Sequence, residues 1–383
     1  MSKRVYLDNA ATTPVRPEVV DAMMPYLTGN YGNPSSIHQE GRTTRAAIEG
    51  ARKAVAGLIG ASTGEIFFTS GGTESNNMAI KCAVNDLGVK RIITSPAEHH
   101  CVKHSVEHVR DMGLIQVDMV KIDGYGLPDM DHLEHLLVSS DTPTLVSLMH
   151  ANNELGSVLD LQALSALCRK YGAWLHSDTV QTIGHYRINV QETPVDFLSG
   201  AAHKFYGPKG IGFIYINHRC HVHPLIDGGS QERNMRAGTE NISGIVGLSK
   251  AMQLAYAELE ADTEYISGLK TYMKEKLENV CPGIRFNGHP SRSLYTVLNC
   301  SFPPGPQNDL LILSLDIAGV SASGGSACSS GAESQSHVLQ SIGHPSDRKA
   351  VRFSFSRNTT IADIDYAVEQ VAGILAGGVH AMT

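Results

Sequence analysis

The chain has 383 residues, more than one core usually accommodates, so two domains are expected. Hydrophobic residues make up 42% and charged residues 18%, the ordinary balance of a globular protein. The net charge of −7, with Lys and Arg scattered, argues against a nucleic-acid or anionic-membrane surface, and no run approaches the roughly 18 apolar residues of a membrane span.

Lys3 and Arg4 are followed by Asp8, Asn9 and Thr12 where a signal peptide needs an apolar stretch, so a cytoplasmic protein is expected. Short β-rich runs then alternate with helical patterns. Ile66–Thr69 leads through Gly71-Gly72 into a helix from about Thr73 to Asn85, and Arg91–Ser95 into one over Val102–Met112. Thr144–Met149 precedes a helix over Leu161–Tyr171, Trp174–Ser177 runs into Asp178 and Gln181, and Ile211–Ile216 closes the series. This spacing implies βαβ units and a mainly parallel sheet, whose ligands bind beyond the carboxyl ends of the strands. One long helical pattern, about Ile245 to Val280, reads as a connector to a second domain. Beyond it come Pro/Gly punctuation, a Ser/Gly-rich stretch from Ser321 to Gly331, and alternating Val351–Ser356 with Arg352, Ser354 and Ser356 on one face. A helix from about Ile361 to Ala376 ends the pattern.

The chemistry-bearing clusters fall mostly after these strands. Ser70–Asn77 offers a glycine turn at a helix N-terminus and the Thr73 hydroxyl, which suits a phosphate, although a plain glycine cap would look the same. Asp178–Gln181 could keep a pyridinium nitrogen protonated (Asp178) and hydrogen-bond a phenolic oxygen (Gln181), or Asp178 could simply cap a helix. Lys204, between a strand end and a Gly-Pro turn, suits a Schiff-base lysine better than Lys209, which sits inside the turn. Arg236–Asn241 adds hydroxyl and amide donors outside the strand series.

Seven cysteines form no CxxC pair. Six read as small core or surface residues, whereas Cys328 lies in a Ser/Gly-rich stretch with the composition of a mobile loop. Two His/Cys groups, His99–His108 and His218–His223, superficially suggest a metal, but neither has a second Cys/His pair at zinc spacing, and no metal is expected.

Taken in order, these tracts resemble the cysteine desulfurases of the IscS/NifS group, pyridoxal-phosphate enzymes of the aspartate-aminotransferase fold type. The resemblance runs essentially end to end, through Tyr6–Pro14, Gly32–Ser36, the Thr73 turn, Glu98-His99-His100, Asn152–Gly156, Ser177–Gln181, Ala202-His203-Lys204, Arg236–Asn241 and Arg352-Phe353-Ser354. It implies an α/β fold of type I: a mainly parallel seven-stranded large domain over 14–258 and a smaller α+β domain formed by 1–13 with 259–383. It implies pyridoxal 5′-phosphate linked to Lys204, which later serves as general base. His99 would stack on the ring, Asp178 pair with its nitrogen and Gln181 with its phenolic oxygen. Gly72, Thr73 and His203 would hold the phosphate, with Thr239 reaching in from the partner of a homodimer, and Asn153 and Arg352 would hold the substrate carboxylate, for which a guanidinium fork is suited. One departure stands out: the family often has Ser three residues before the lysine, where this chain has Ala201, and Ser199 would point differently.

The implied reaction converts L-cysteine to L-alanine with transfer of sulfur to Cys328 as a persulfide. The sulfur then passes to acceptor proteins, an iron–sulfur scaffold or a sulfur carrier, for cluster assembly or tRNA thiolation. A thiol of ordinary pKa must lose its proton first, and the residues leave His99 and the substrate both open as the acceptor. The rival readings are a selenocysteine lyase, a pyridoxal aminotransferase of the same fold, and a cofactor-binding scaffold that regulates sulfur transfer.

Overall fold

In the computed structural model, residues 3–307, 309–324 and 336–377 are described; Cys328 and the rest of 325–335 lie outside the described residues. The apolar runs form a seven-stranded sheet in the order Ile66–Thr69, Gly212–Ile216, Phe197–Ala201, Trp174–Asp178, Thr144–Ser147, Arg91–Thr94, Gln116–Met119. All neighbours pair in parallel except those of Gly212–Ile216, which runs antiparallel to both its partners. Successive side chains on a strand point to opposite faces. Ile66, Phe68, Ile93, Val146, Leu175, Leu198 and Phe213 therefore pack into one core, and Phe67, Ile92, Leu145, Phe197 and Ile214 into another. Each fully buried Leu, Ile or Phe stabilises by about 1.5–3 kcal/mol. Burial on both faces explains why these strands read as continuous apolar runs rather than alternating ones.

A further core gathers Val5 and Leu7 with Ile266, Leu269, Met273, Leu277, Phe302, Phe353 and Ile364. It backs a three-stranded antiparallel sheet ordered Lys349–Ser354, Val297–Phe302, Arg285–Asn287, while Val5–Tyr6 pairs in parallel with Val320–Ser321. The N-terminal segment thus packs with residues from the last third of the chain.

The expected single connector helix is instead two, Ile242–Ala257 and Leu259–Val280, broken at Glu258 with φ −109° and ψ 9°. The first buries Ile245, Leu248 and Met252 in the core of the large sheet, the second Ile266, Leu269 and Met273 in the later one. A straight helix could not face both. Glu258 accepts hydrogen bonds from Arg16 (2.7 Å) and Arg357 at the break.

Before the Arg236–Asn241 tract, Glu232, Arg233 and Asn234 all adopt left-handed backbone angles, φ 44°, 57° and 66°. Each costs about 1–2 kcal/mol for a residue with a Cβ. Glu232 is held by a buried two-pronged pair with Arg52 (2.7 and 2.9 Å) and by the Phe68 N–H (2.8 Å). Among the described residues, no helix is long and apolar enough to cross a membrane.

Candidate active site

The strands Ile66–Thr69, Arg91–Thr94, Thr144–Ser147, Trp174–Asp178 and Phe197–Ala201 present their carboxyl ends on one side of the sheet. The residues that follow them line a cavity of about 250 Å³ with Ala10, Ala11 and Arg352. Gly72, Thr73, His99, Asn153, Asp178, Gln181, His203 and Lys204 all meet there, so the structure assembles every sequence-predicted site residue except Cys328, outside the described residues, and Thr239. Thr239 lines a separate, smaller cavity with Ser70, Gly210 and Arg236.

Gly72 and Thr73 open the helix Gly72–Asp86. Gly71 before them has φ 156° and ψ −178°, a conformation left essentially to glycine. Gly71 offers no side chain to cap this helix, whose first residues, Gly72 and Thr73, line the cavity wall. The acidic residue of the first turn, Glu74, is drawn to Arg236 (2.9 Å) and the Ser70 N–H (2.9 Å). This places the Arg236–Asn241 tract, which sequence pattern could not locate, beside the same helix end. A Cβ at Gly72 would lie 2.5 Å from Val180 Cγ2, so a larger residue there would force the Val180 side chain to shift.

Lys204 ends a short 3-10 turn, Ala202–Lys204. Its Nζ donates to the carbonyl oxygens of Ala10 (2.6 Å) and Ala11 (2.9 Å). His185 Nε2 donates to the Lys204 carbonyl (3.0 Å), and its Nδ1 accepts from Tyr295 (2.8 Å). Asp178 receives Asn76 Nδ2 on one oxygen (2.7 Å) and the Val180 N–H on the other (2.9 Å). Gln181 Nε2 donates to the Ala10 carbonyl (3.1 Å). The His203 imidazole is 3.3 Å from Thr12 Oγ1, and burial, aided by Lys204 and Lys209, lowers its pKa to about 4. It is neutral at physiological pH.

His99 caps the helix His100–Asp111: its Nδ1 accepts the Cys101 N–H (3.2 Å) and lies 3.0 Å from the Cys101 thiol. Its proton therefore sits on Nε2. Burial lowers its pKa, opposed by Asp178 and reinforced by Lys204. Cys101 is itself pushed up to about 12, by burial and then by Asp178, so it stays a thiol. Burial likewise lifts Glu98 to about 8 against hydrogen bonds from the Met149 N–H (3.0 Å) and Ser95 (2.9 Å), which makes it a neutral acid at pH 7.

Arg352 is 1% exposed. It donates from Nη1 to the Asn153 carbonyl (2.8 Å) and from Nη2 to Asp8 (2.7 Å), and its buried Nε has no acceptor among the described residues. A buried cationic N–H on a cavity wall calls for an anionic partner. Ser199 turns away from the cavity to Asn76 and His176, while Ala201 lines it without a hydroxyl.

Asp8, Asn76, Glu98 and Cys101 also belong to the site or its support and were not singled out from sequence. All four sat inside tracts already of interest: Asp8 in Tyr6–Pro14, Asn76 in the Gly71 turn, and Glu98 and Cys101 beside His99. The rings of His100, His104 and His337 cluster near the site, with His100 and His337 4.5 Å apart. Among the described residues, no group of three or more His, Cys, Asp or Glu gathers to hold a metal ion.

These residues suit pyridoxal phosphate: an uncapped helix end for its phosphate, a lysine amine for its aldehyde and a buried carboxylate for its ring nitrogen. The chain belongs to the class-V aminotransferase family, whose model matches residues 5–367. It is 45% identical over 98% of its length, and 95% of the other's, to cysteine desulfurase IscS of Dictyoglomus turgidum. It is 43% identical, over 98% of this chain and 92% of the other, to cysteine desulfurase IscS of Methanosarcina thermophila. A solved NifS-like protein superposes with TM-score 0.91 at 34% identity, covering 98% of this chain and 100% of that one. Within the family the chain therefore belongs with the cysteine desulfurases of the IscS/NifS group, pyridoxal-phosphate enzymes of fold type I.

Proposed function

We infer that the chain is a pyridoxal-phosphate-dependent cysteine desulfurase that takes sulfur from L-cysteine, leaves L-alanine and passes the sulfur to acceptor proteins. The observation that carries this is one cavity joining Lys204, Asp178 and Arg352 to an uncapped helix N-terminus, in a chain alike over nearly its whole length to named cysteine desulfurases. That likeness favours the desulfurase over the lyase and aminotransferase readings.

Bound pyridoxal phosphate supplies the electron sink that makes the substrate Cα acidic. Asp178 holds the ring nitrogen protonated, and Gln181 addresses the phenolic oxygen. Gly72, Thr73 and His203 hold the phosphate, joined by Thr239 of the partner subunit in a homodimer. Arg352 and Asn153 orient the substrate carboxylate, and the orphan Arg352 Nε–H favours that assignment. Lys204 would hold the cofactor through Nζ and, as a free amine, would take the Cα proton there; the ammonium so formed has the Ala10 and Ala11 carbonyls as acceptors. His99, with its ring proton on Nε2, offers a hydrogen bond from that nitrogen at the cavity wall. Cys328 is the nucleophile that takes the sulfur as a persulfide. Onward delivery to an iron–sulfur scaffold or a sulfur carrier, for cluster assembly or tRNA thiolation, belongs to this proposal, as does a division into 14–258 and 1–13 with 259–383. The packing of Val5 and Leu7 with the later core supports that division.

The test measures alanine and sulfide made from L-cysteine with a reductant, for wild type and Cys328→Ala. Wild type is expected to make both, and the variant to keep its cofactor absorbance and make neither. A variant as active as wild type would remove Cys328 from the mechanism.

A further inference from the structure

A buried polar network that includes one wall of the cavity runs back from it through Asn76, whose part in it the roles above leave unused. Asn76 is 0% exposed and sits at its centre. Its Nδ2 donates to Asp178 Oδ2 (2.7 Å) and lies 3.1 Å from the Cys101 thiol, which in turn contacts His99 Nδ1 (3.0 Å). Its Oδ1 accepts from Ser199 and from His176 Nε2 (3.1 Å). Ser147 donates to the other His176 nitrogen (2.8 Å). Burial pushes His176 down to about 3, so this imidazole is uncharged and carries a single proton.

The donors and acceptors of the chain can be satisfied in only one sense. A carboxylate only accepts, so the Asn76 NH2 group faces Asp178; its Oδ1 then takes the Ser199 hydroxyl and the His176 Nε2–H, which leaves His176 Nδ1 to accept from Ser147. With the Val180 N–H on the other oxygen, both carboxylate oxygens are pinned, and the lone pairs left over belong to the cavity that Asp178 lines. Every other member named in the network is electrically neutral. A Lys, Arg or charged His in Asn76's place would orient Asp178 too, but would neutralise the charge that a protonated ring nitrogen needs.

We infer that Asn76 is a positioning residue: it orients Asp178 toward the cofactor's ring nitrogen and leaves the carboxylate's full charge available. The inference rests on the pyridoxal reading above, and its effect must pass through that one nitrogen. The experiment is a cycle of two proteins and two cofactors. Dissociation constants are measured by equilibrium titration for pyridoxal phosphate and for its 1-deaza analogue, in which carbon replaces the ring nitrogen. The proteins are wild type and Asn76→Leu, a change of similar volume without polar atoms. The variant is expected to bind pyridoxal phosphate about tenfold more weakly, the loss of roughly one hydrogen bond to a charged group, and the analogue within about twofold of wild type. Binding of the analogue is the internal check that the variant folds. Asn76→Ala, which relieves any packing strain from Leu, should show the same preference between the two compounds. Equal losses for both compounds would make Asn76 a general support of the cavity and overturn the inference, as would no loss for either. A wild type that bound neither compound would sink the pyridoxal reading itself, a result distinct from either of these.

Discussion

Replacing Arg352 by Lys keeps a positive charge at the cavity but removes the planar fork. The guanidinium uses Nη1 on the Asn153 carbonyl (2.8 Å) and Nη2 on Asp8 (2.7 Å), leaving Nε–H and the remaining Nη protons for a ligand. A lysine ammonium is a point donor on a flexible stem and cannot keep both anchors while gripping a carboxylate through two parallel bonds. At least one charge-assisted hydrogen bond is lost, about 1.5–3 kcal/mol. If the interaction is made equally before and during reaction, that loss appears as a KM for L-cysteine raised roughly 10- to 150-fold. The kcat should change little by comparison. The assay is alanine formation against L-cysteine concentration, with cofactor absorbance recorded on the same samples. A KM within twofold of wild type would refute the assignment of Arg352 to the substrate carboxylate. Loss of cofactor absorbance together with activity would mean that this buried arginine holds the cavity wall instead.

Glu232→Ala should lower stability by about 3 kcal/mol, because it takes from the buried Arg52 guanidinium its two-pronged partner, leaving Glu49 (3.1 Å) and the Ile66 carbonyl (2.7 Å). A fall of roughly 4 °C in Tm is the expected reading, and a change under about 1 °C would contradict the account. Glu98 predicts a dependence on pH. Its folded-state pKa, raised to about 8, exceeds the ordinary carboxyl value of 4.5, so between those values the folded state holds a proton that the unfolded state has lost. Its contribution to stability is therefore complete below about pH 4.5 and is lost as pH rises toward 8. Glu98→Gln, which stays neutral, should flatten the fall of Tm over that range; a variant whose Tm tracks wild type from pH 5 to 8 would show that Glu98 is not held protonated.

The alternation of apolar runs with helical patterns was legible because strands buried on both faces write themselves as unbroken Ile/Val/Leu/Phe tracts, as Ile66–Thr69 and Thr144–Ser147 do. A strand end before Lys204 was expected, but the range Phe197–Ala201 did not stand out as an apolar run: two of its five residues are small, and Ser199 serves a buried hydrogen bond. The edge strand Gln116–Met119 was missed, being only half-buried and polar at alternate positions. The break at Glu258 could not be seen either, since Glu is a good helix former and the kink answers to which core each half packs against.

Sequence alone determined the residue types that sit at strand ends: a lysine after one, an aspartate after another, a glycine turn after a third. Local pattern is enough there, because in a mainly parallel sheet chain direction puts all those ends on one side. Only the tertiary structure decided their partners. Asp178 meets Asn76 across 102 positions, Lys204 meets Ala10 across 194, and Arg352 meets Asp8 across 344. A hydrogen bond between residues so far apart leaves no period or spacing in the chain, since it exists only once the cores have packed and brought the two groups within 3 Å.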